Sequence, residues 1–453
     1  MLGCPLSKER GRLVMRFKRL EMKSIFARDV YIVDGTRTPF LKARGRPGHF
    51  SASDLAVSAG KSLLSRQKFM PQDLDEVIIG CMMPSADEAN IGRVIALRLG
   101  CGKKVPGWTV QRNCASGLQS IDSAAQLIAS GRANLILAGG TEAMSRAPLL
   151  LNSKMINFLA DFKNSKSLIN KIKLLTQFRP GYLKPIISLL RGLTDPIAGL
   201  NMGQTAEIIS HRFKITREQM DVFSANSHAR LAYAFDHQLM TEVSAIYDTQ
   251  GKYYLEDDGL RRDTTVEKLS KLKPIFDQPY GLVTAGNSSQ ITDGAALVIL
   301  ASQEAVEKYK LPIMGKIIDV QWAGLEPSQM GLGPVHSISP ILQRQNLSFD
   351  QIDAIEINEA FAGQVLACLA AFQDKQYCHE ELGLDKPIGE LDQHKLNING
   401  GAIASGHPIG ASGTRVLLHT LEILKHKKKK LGLASLCIGG GLGGAMLVES
   451  LSL

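Results

Sequence analysis

No apolar run in the 453 residues approaches the length needed to cross a bilayer, so no spanning helix is expected. Aromatic residues make up only 6% of the chain against 42 glycines, a balance suited to helices packed closely on sheets. The seven cysteines are odd in number and widely scattered. They lack the pattern of a disulfide framework or of zinc ligands, which points to a reducing compartment and to no metal. The first 28 residues are basic (Lys8, Arg10, Arg12, Arg16, Lys18, Arg19, Lys23, Arg28) but have no secretory apolar core, and Glu9 and Glu21 are unlike an organelle presequence. Residues 1–27 are therefore expected to be a disordered extension, and the cytoplasm the location, with the mitochondrion as the alternative. No nucleic-acid-binding motif accompanies the net charge of +10. Part of that charge, Lys425 to Lys430 broken by His426, falls at the end of a predicted helix, where lysines satisfy carbonyls and the dipole. Nucleic acid is not an expected partner.

With 44% hydrophobic and 21% charged residues, the chain has the composition of a globular protein with room for two or three domains. It also repeats itself. A strand at 29–33, a helix at 54–64, a strand at 76–79 and a helix at 91–99 are echoed by a strand at 315–320, a helix at 337–342, a strand at 352–357 and a helix at 360–372. The echo continues with an extended run at 108–112, the helix after Cys114 and a strand at 135–138, against 396–399, a helix at 410–425 and a strand at 433–437. Such alternation implies two α/β halves around mostly buried sheets. The expected divisions are 28–150 for the first half, an inserted lid at 151–280, and 281–453 for the rest of the first half and the second half, which begins near 312. The duplication would place the Cys114 loop and the His407 loop in matching positions facing one site.

Inside the insertion, Leu168, Ile169, Ile172, Leu175 and Phe178 form an apolar stripe beside Lys163, Lys166, Lys171 and Lys173. After Pro180-Gly181, a second stripe of Leu183, Ile186, Ile187, Leu189 and Leu190 lies beside Lys184 and Arg191. A basic amphipathic hairpin at 165–192 can lie on a membrane surface or a partner, or simply pack on its own domain.

Three glycine-rich loops carry reactive side chains: Asn358-Glu359-Ala360-Phe361, the stretch from Asn399 to Gly410 around His407, and Cys437-Ile438-Gly439-Gly440-Gly441. Glycine lets backbone approach a ligand and presents N–H groups to developing negative charge. Cys114, placed on the first turn of a helix buried nearly all round, is positioned either for activation by the helix end or as an inert core thiol.

Together the motifs NCASG at Cys114, NEAFA at Asn358, GHPIGASG at His407 and CIGGGLGG at Cys437 resemble those of the thiolase family, and Val283 to Ser289 with Asp293 to Ala296 resembles its coenzyme A loop. The resemblance runs from about residue 28 to the C-terminus. It implies duplicated α/β halves in a layered αβαβα arrangement with an inserted helical loop domain. It also implies that His407 takes the Cys114 proton, that the N–H groups of Cys114 and Gly439 hold an oxyanion, that Asn358 holds a water, and that Cys437 moves the second proton. Ser289, Phe361, Met202 and Arg261 become candidate substrate-binding residues, with Arg261 or Arg262 meeting CoA phosphates. CoA is implied as co-substrate, with no bound cofactor. The insertion and the segment from Asn201 to Glu207 look most like long-chain 3-ketoacyl-CoA thiolases of the fatty-acid oxidation trifunctional complex, which cleave 3-ketoacyl-CoA to acetyl-CoA and a shortened acyl-CoA. Short-chain acetoacetyl-CoA thiolases usually carry histidine where Asn201 stands. Acyl-CoA substrates, a homodimer or higher oligomer, an enoyl-CoA hydratase/3-hydroxyacyl-CoA dehydrogenase α subunit and a peripheral membrane contact are the implied partners. The rival readings are an acetyl-CoA acetyltransferase, a ketoacyl synthase and an inactive scaffold of the same fold.

Overall fold

The computed structural model describes residues 23–451, so most of the basic extension read at 1–27 lies outside the described residues. The first half comprises β1 (Tyr31–Arg37), α1 (Ala52–Leu64), β2 (Glu76–Gly80), α2 (Ile91–Arg98), β3 (Gly107–Val110), α3 (Ser116–Ala129), β4 (Leu135–Ala143) and, beyond the insertion, β5 (Thr292–Ala301). The second comprises β6 (Gly315–Gly324), α4 (Gly333–Gln345), β7 (Ala354–Ile357), α5 (Ala362–Gln373), α6 (Ile409–Lys427), β8 (Leu431–Ile438) and β9 (Leu442–Ser450).

Strand order is β1-β5-β4-β2-β3 in the first half and β6-β9-β8-β7 in the second, continued by a bridge from Ile355 to Leu396. In both halves the first two junctions are antiparallel and the others parallel. The repeat read from the sequence therefore holds in strand order and direction. Its one contraction is the strand expected at 396–399, which shrinks to that single bridge. Pairs between β1 and β6 (Tyr31↔Lys316, Ile32↔Gly315) join the halves into one ten-stranded sheet, which includes the short strand Leu41–Lys42.

Period-two alternation assigns strand residues to opposite faces. Leu297 and Ile299 of β5 pack outward with Leu55 and Leu63 of α1, whereas Val298 and Leu300 face inward among Leu118 and Ile121 of α3 and Leu417 of α6. The outer face of the second half is covered by Val335 and Ile338 of α4 and by Val365 and Phe372 of α5. The layers are thus α1/α2, sheet, α3/α6, sheet, α4/α5. The middle helices are buried on nearly every side, α6 without interruption from Ile409 to Leu424.

Between α3 and α6 the approach is close enough to require glycine. A Cβ on Gly117 would stand 2.7 Å from Gly410 O, and one on Gly413 would stand 2.5 Å from Leu118 N.

The insertion departs from the expected hairpin. Its first limb is helical, Leu168–Gln177, packed with a preceding helix, Ser153–Asn164, that the apolar stripes did not indicate. Its second limb is a 3₁₀ turn at Pro180–Leu183, a strand at Ile186–Ile187 and a short helix at Ser188–Gly192. Pro180, Gly181 and Pro185 prevent a continuous helix, and Ile186–Ile187 pairs instead with Leu149–Leu150.

Gly413→Val forces a side chain into the α3–α6 contact and is expected to cost about 2 kcal/mol or more. Thermal unfolding checks this beside Gly181→Ala, where a Cβ meets nothing within 4 Å. Equal melting temperatures for the two variants would contradict the close approach.

Candidate active site

Cys114 lies two residues before α3, not on its first turn. Asn113 takes a left-handed conformation (φ 44°) ahead of it, one that asparagine tolerates. Ser116 pins this turn, its Oγ accepting from Arg112 N (2.9 Å) and donating to Asn113 O (2.8 Å). Backbone N–H groups of Gly439 and of Cys114 itself favour negative charge on the sulfur. Asn113 Nδ2 donates to Gly439 O (2.8 Å) and anchors the glycine loop against the cysteine loop. The expectation that the helix end favours a thiolate is corrected: burial pushes the Cys114 thiol up, outweighing the two backbone donors. Cys114 rests as a thiol and needs a base.

That base is His407. Its Nδ1 lies 2.6 Å from Ser412 Oγ, which donates to Pro408 O (3.0 Å). A serine hydroxyl has a single hydrogen, so the imidazole proton sits on Nδ1 and the lone pair on Nε2. Nε2 is buried with no hydrogen-bond partner among the described residues. Burial, then the charge of Arg415, lower the His407 pKa to about 4, so the ring is neutral and able to accept a proton.

Cys437, at the end of β8, is fully buried. Burial raises its thiol well above the ordinary value and the neighbouring Cys114 adds to the shift, so Cys437 keeps its proton as a donor must. Asn358 directly follows β7 and is fixed by Asn358 N donating to Ser435 O (2.9 Å). Its side chain is fully buried and is not among those lining the cavity.

Cys114, His407 and Cys437 line one cavity of about 810 Å³, together with Ser289, Phe361, Met202 and Arg261. One wall is apolar: Met202 and Phe276 pack on Ala206, Met330, Phe361 and Cys437, and Phe276 meets Phe361 edge-on at 6.1 Å. Lys42, Arg261 and Lys268 add cationic groups. Arg262 does not join them, being paired outside with Asp236 (2.7 Å) and Glu256 (2.9 Å). Sequence reasoning missed His228, a lone histidine in a helix with no motif around it. Its Nδ1 accepts from Arg261 N (3.2 Å), while burial, Arg261 and Lys42 hold it neutral with a pKa of about 4. Among the described residues no group of three or more His, Cys, Asp or Glu side chains is placed to hold a metal ion.

The thiolase N-terminal domain model matches residues 30–304 and the thiolase C-terminal domain model residues 311–450. The chain belongs to the thiolase family. A human mitochondrial 3-ketoacyl-CoA thiolase is 37% identical over 428 residues, covering 93% of this chain and 98% of the relative. A 3-ketoacyl-CoA thiolase of Pseudoalteromonas translucida is 33% identical, covering 93% and 97%. Among solved structures, the human mitochondrial 3-ketoacyl-CoA thiolase in complex with CoA superposes with a TM-score of 0.80 at 36% identity, covering 95% of this chain and 100% of that one. An acetyl-CoA acetyltransferase from Bacillus anthracis gives 0.80 at 33% identity, covering 94% and 100%.

For this thiolase, a neutral thiol beside a neutral imidazole predicts two pH limbs. Turnover should persist on acidification until His407 protonates at about pH 4. Alkylation of Cys114 by iodoacetamide, followed on its peptide by mass spectrometry, should still be rising above pH 9.0. A rate plateau at neutral pH would show a standing thiolate–imidazolium pair instead.

Proposed function

We propose that this thiolase is a 3-ketoacyl-CoA thiolase, an acetyl-CoA C-acyltransferase that uses CoA to cleave a 3-ketoacyl-CoA into acetyl-CoA and a shortened acyl-CoA. The observation that carries the reading is the single cavity in which a base-ready histidine and two cysteines meet an apolar wall and cationic groups. His407 Nε2 takes the Cys114 proton, and the thiolate attacks the 3-keto carbon. The N–H groups of Cys114 and Gly439, which favour negative charge at the sulfur, support the role of oxyanion donors. Breaking the C2–C3 bond releases the acetyl-CoA enolate. Its charge rests on His407 and on a water held by Asn358, and Cys437 delivers a proton to C2. The Cys437 thiolate then deprotonates incoming CoA, whose sulfur displaces the acyl group, and Cys114 regains its proton from His407. Ser289 contacts the pantetheine arm, Arg261 the phosphates, and Met202 and Phe361 the acyl chain. On this division, residues 28–150 and 281–311 form the catalytic first half, 151–280 the insertion and 312–453 the second half.

The long-chain branch is the reading the insertion supports. Leu168 is 73% exposed and Ile169 78%, with Ile172 and Leu175 beside them, and lysines flank the stripe. Apolar side chains left in water beside lysines suit an anionic lipid surface, where each lysine contributes about 1 kcal/mol. No helix among the described residues is long and apolar enough to cross a membrane, so the contact is peripheral. We assign β3, an open sheet edge with all four residues only half-buried, to pairing with a second copy in a homodimer. The resemblance of the insertion further supports a hydratase–dehydrogenase α subunit as partner. The six cysteines among the described residues are all free, which supports a reducing compartment that we read as the cytoplasm.

Buried methylenes are worth about 0.8 kcal/mol each, so kcat/KM should be at least about tenfold higher for a long 3-ketoacyl-CoA than for acetoacetyl-CoA. The reverse order would favour the acetyltransferase reading. Replacing Leu168, Ile169 and Ile172 by glutamine should reduce cosedimentation with phosphatidylglycerol vesicles while acetoacetyl-CoA turnover is kept. Unchanged sedimentation would remove the membrane assignment.

A further inference from the structure

Behind the wall of the cavity lies a buried ion pair that takes no part in the steps above. Arg415 of α6 donates from Nη1 to Glu356 Oε2 (2.8 Å) and from Nη2 to Asn358 Oδ1 (3.4 Å). Glu356 and Asn358 are fully buried and Arg415 is 3% exposed. Burying two charges costs most of what their attraction returns, so stability alone is a weak reason for the pair to be there.

Its geometry suggests another reason. A guanidinium carries only donors, and an amide side chain has one acceptor, its oxygen. Contact with Arg415 therefore fixes which end of the Asn358 amide faces which way. The oxygen is committed to Arg415, because the flipped amide would set donor against donor. Asn358 Nδ2 is left buried with no hydrogen-bond partner among the described residues. Glu356 in turn occupies the second arm of the fork, so the guanidinium cannot swing away from Asn358.

The same helix continues the arrangement. His419, one helical turn beyond Arg415, bonds Glu242 (2.8 Å), and Arg37 pairs with Asp257 (2.7 Å) and approaches Glu242 (3.6 Å). Burial pushes the Glu356 carboxyl up, and His419 and Arg415 oppose that shift, so the ion pair leans on both cations. Arg415 also contributes, after burial, to keeping His407 neutral. A lysine at 415 would retain that charge and lose the fork.

We propose that Arg415, oriented by Glu356, is a positioning residue for the enolate half of the reaction. It sets the Asn358 amide so that Nδ2–H, rather than oxygen, is presented to the water carrying enolate charge. The inference rests on the thiolase mechanism above and deepens it.

The test separates the two halves of the reaction with acetyl-CoA as the only probe. Acetylation of Cys114 is read by peptide mass, and the enolate step by deuterium uptake at C2 of acetyl-CoA in D₂O. In Arg415→Lys and Glu356→Gln, acetylation should stay within about twofold of wild type while C2 exchange falls at least about tenfold, as expected when an oxyanion donor is misdirected. Asn358→Ala should lose exchange as well, and adding Arg415→Lys to it should cause no further loss. The proposal is overturned if exchange survives, if acetylation and exchange fall together, or if the two substitutions multiply. Should the Arg415 and Glu356 variants not fold, Asn358→Asp decides. It keeps an acceptor for Arg415 but has no Nδ2–H, so it should fold and lose exchange, and retained exchange overturns the proposal. Failure of wild type to acetylate Cys114 would instead sink the thiolase mechanism itself.

Discussion

The rest of the molecule is arranged around a contact between two helices that touch almost backbone to backbone. α3 and α6 occupy equivalent places in the two halves, each entering from a loop that follows the outermost parallel strand position. Gly117 and Gly413 remove the side chains that would hold them apart, and Gly140 admits the Gly410 carbonyl from the sheet side. Since each helix is preceded by its reactive loop, closing this distance brings Cys114 and His407 to one cavity. Duplication alone would create two half-sites. Close packing of the pair makes them one.

Burial then sets the electrostatics. It raises both thiols and lowers the histidine, so the resting site holds neutral groups. Proton transfer begins from Cys114 to His407 when a substrate carbonyl arrives near donors that are already in place. The tautomer needed for this is fixed by a short run of contacts from His407 to Ser412 to Pro408, all within five residues of one loop and the first turn of α6. Carboxylates deeper in the fold are handled differently. Glu142 accepts from the backbone at Met82, Met83 and Gly410 and ties the cysteine half to the histidine half without a countercharge.

Much of this was legible in the sequence because glycine and reactive residues occur together in short motifs. Cys114, His407, Cys437, Ser289, Phe361, Met202 and Arg261 all line the same cavity. The repeat could be traced because strands buried on both faces read as short apolar runs. What escaped has physical causes. The helix Ser153–Asn164 carries its own stripe, Met155, Phe158, Leu159 and Phe162, which the reading of the insertion passed over, and it is held by aromatic contacts to Phe178 and Tyr182 that only folding creates. The second limb of the hairpin could be read only as an apolar stripe, because Pro180, Gly181 and Pro185 break it into a turn, a strand and a short helix. The Cys114 thiol was expected to be lowered by a helix end, yet it stands outside the helix and inside the protein, where desolvation dominates. His228 and Arg415 reach their partners across large gaps in sequence, so no local pattern announces them.

The central claim is that Cys114 carries the acyl group after carbon–carbon cleavage. Incubating the enzyme with 3-ketopalmitoyl-CoA in the absence of free CoA, followed by peptide mass spectrometry, addresses it directly. The account predicts a myristoyl thioester on the Cys114 peptide, with acetyl-CoA released in equal amount and no adduct in Cys114→Ser. An adduct on Cys437, an intact 3-ketopalmitoyl adduct, or acetyl-CoA release without any acyl-enzyme would contradict it.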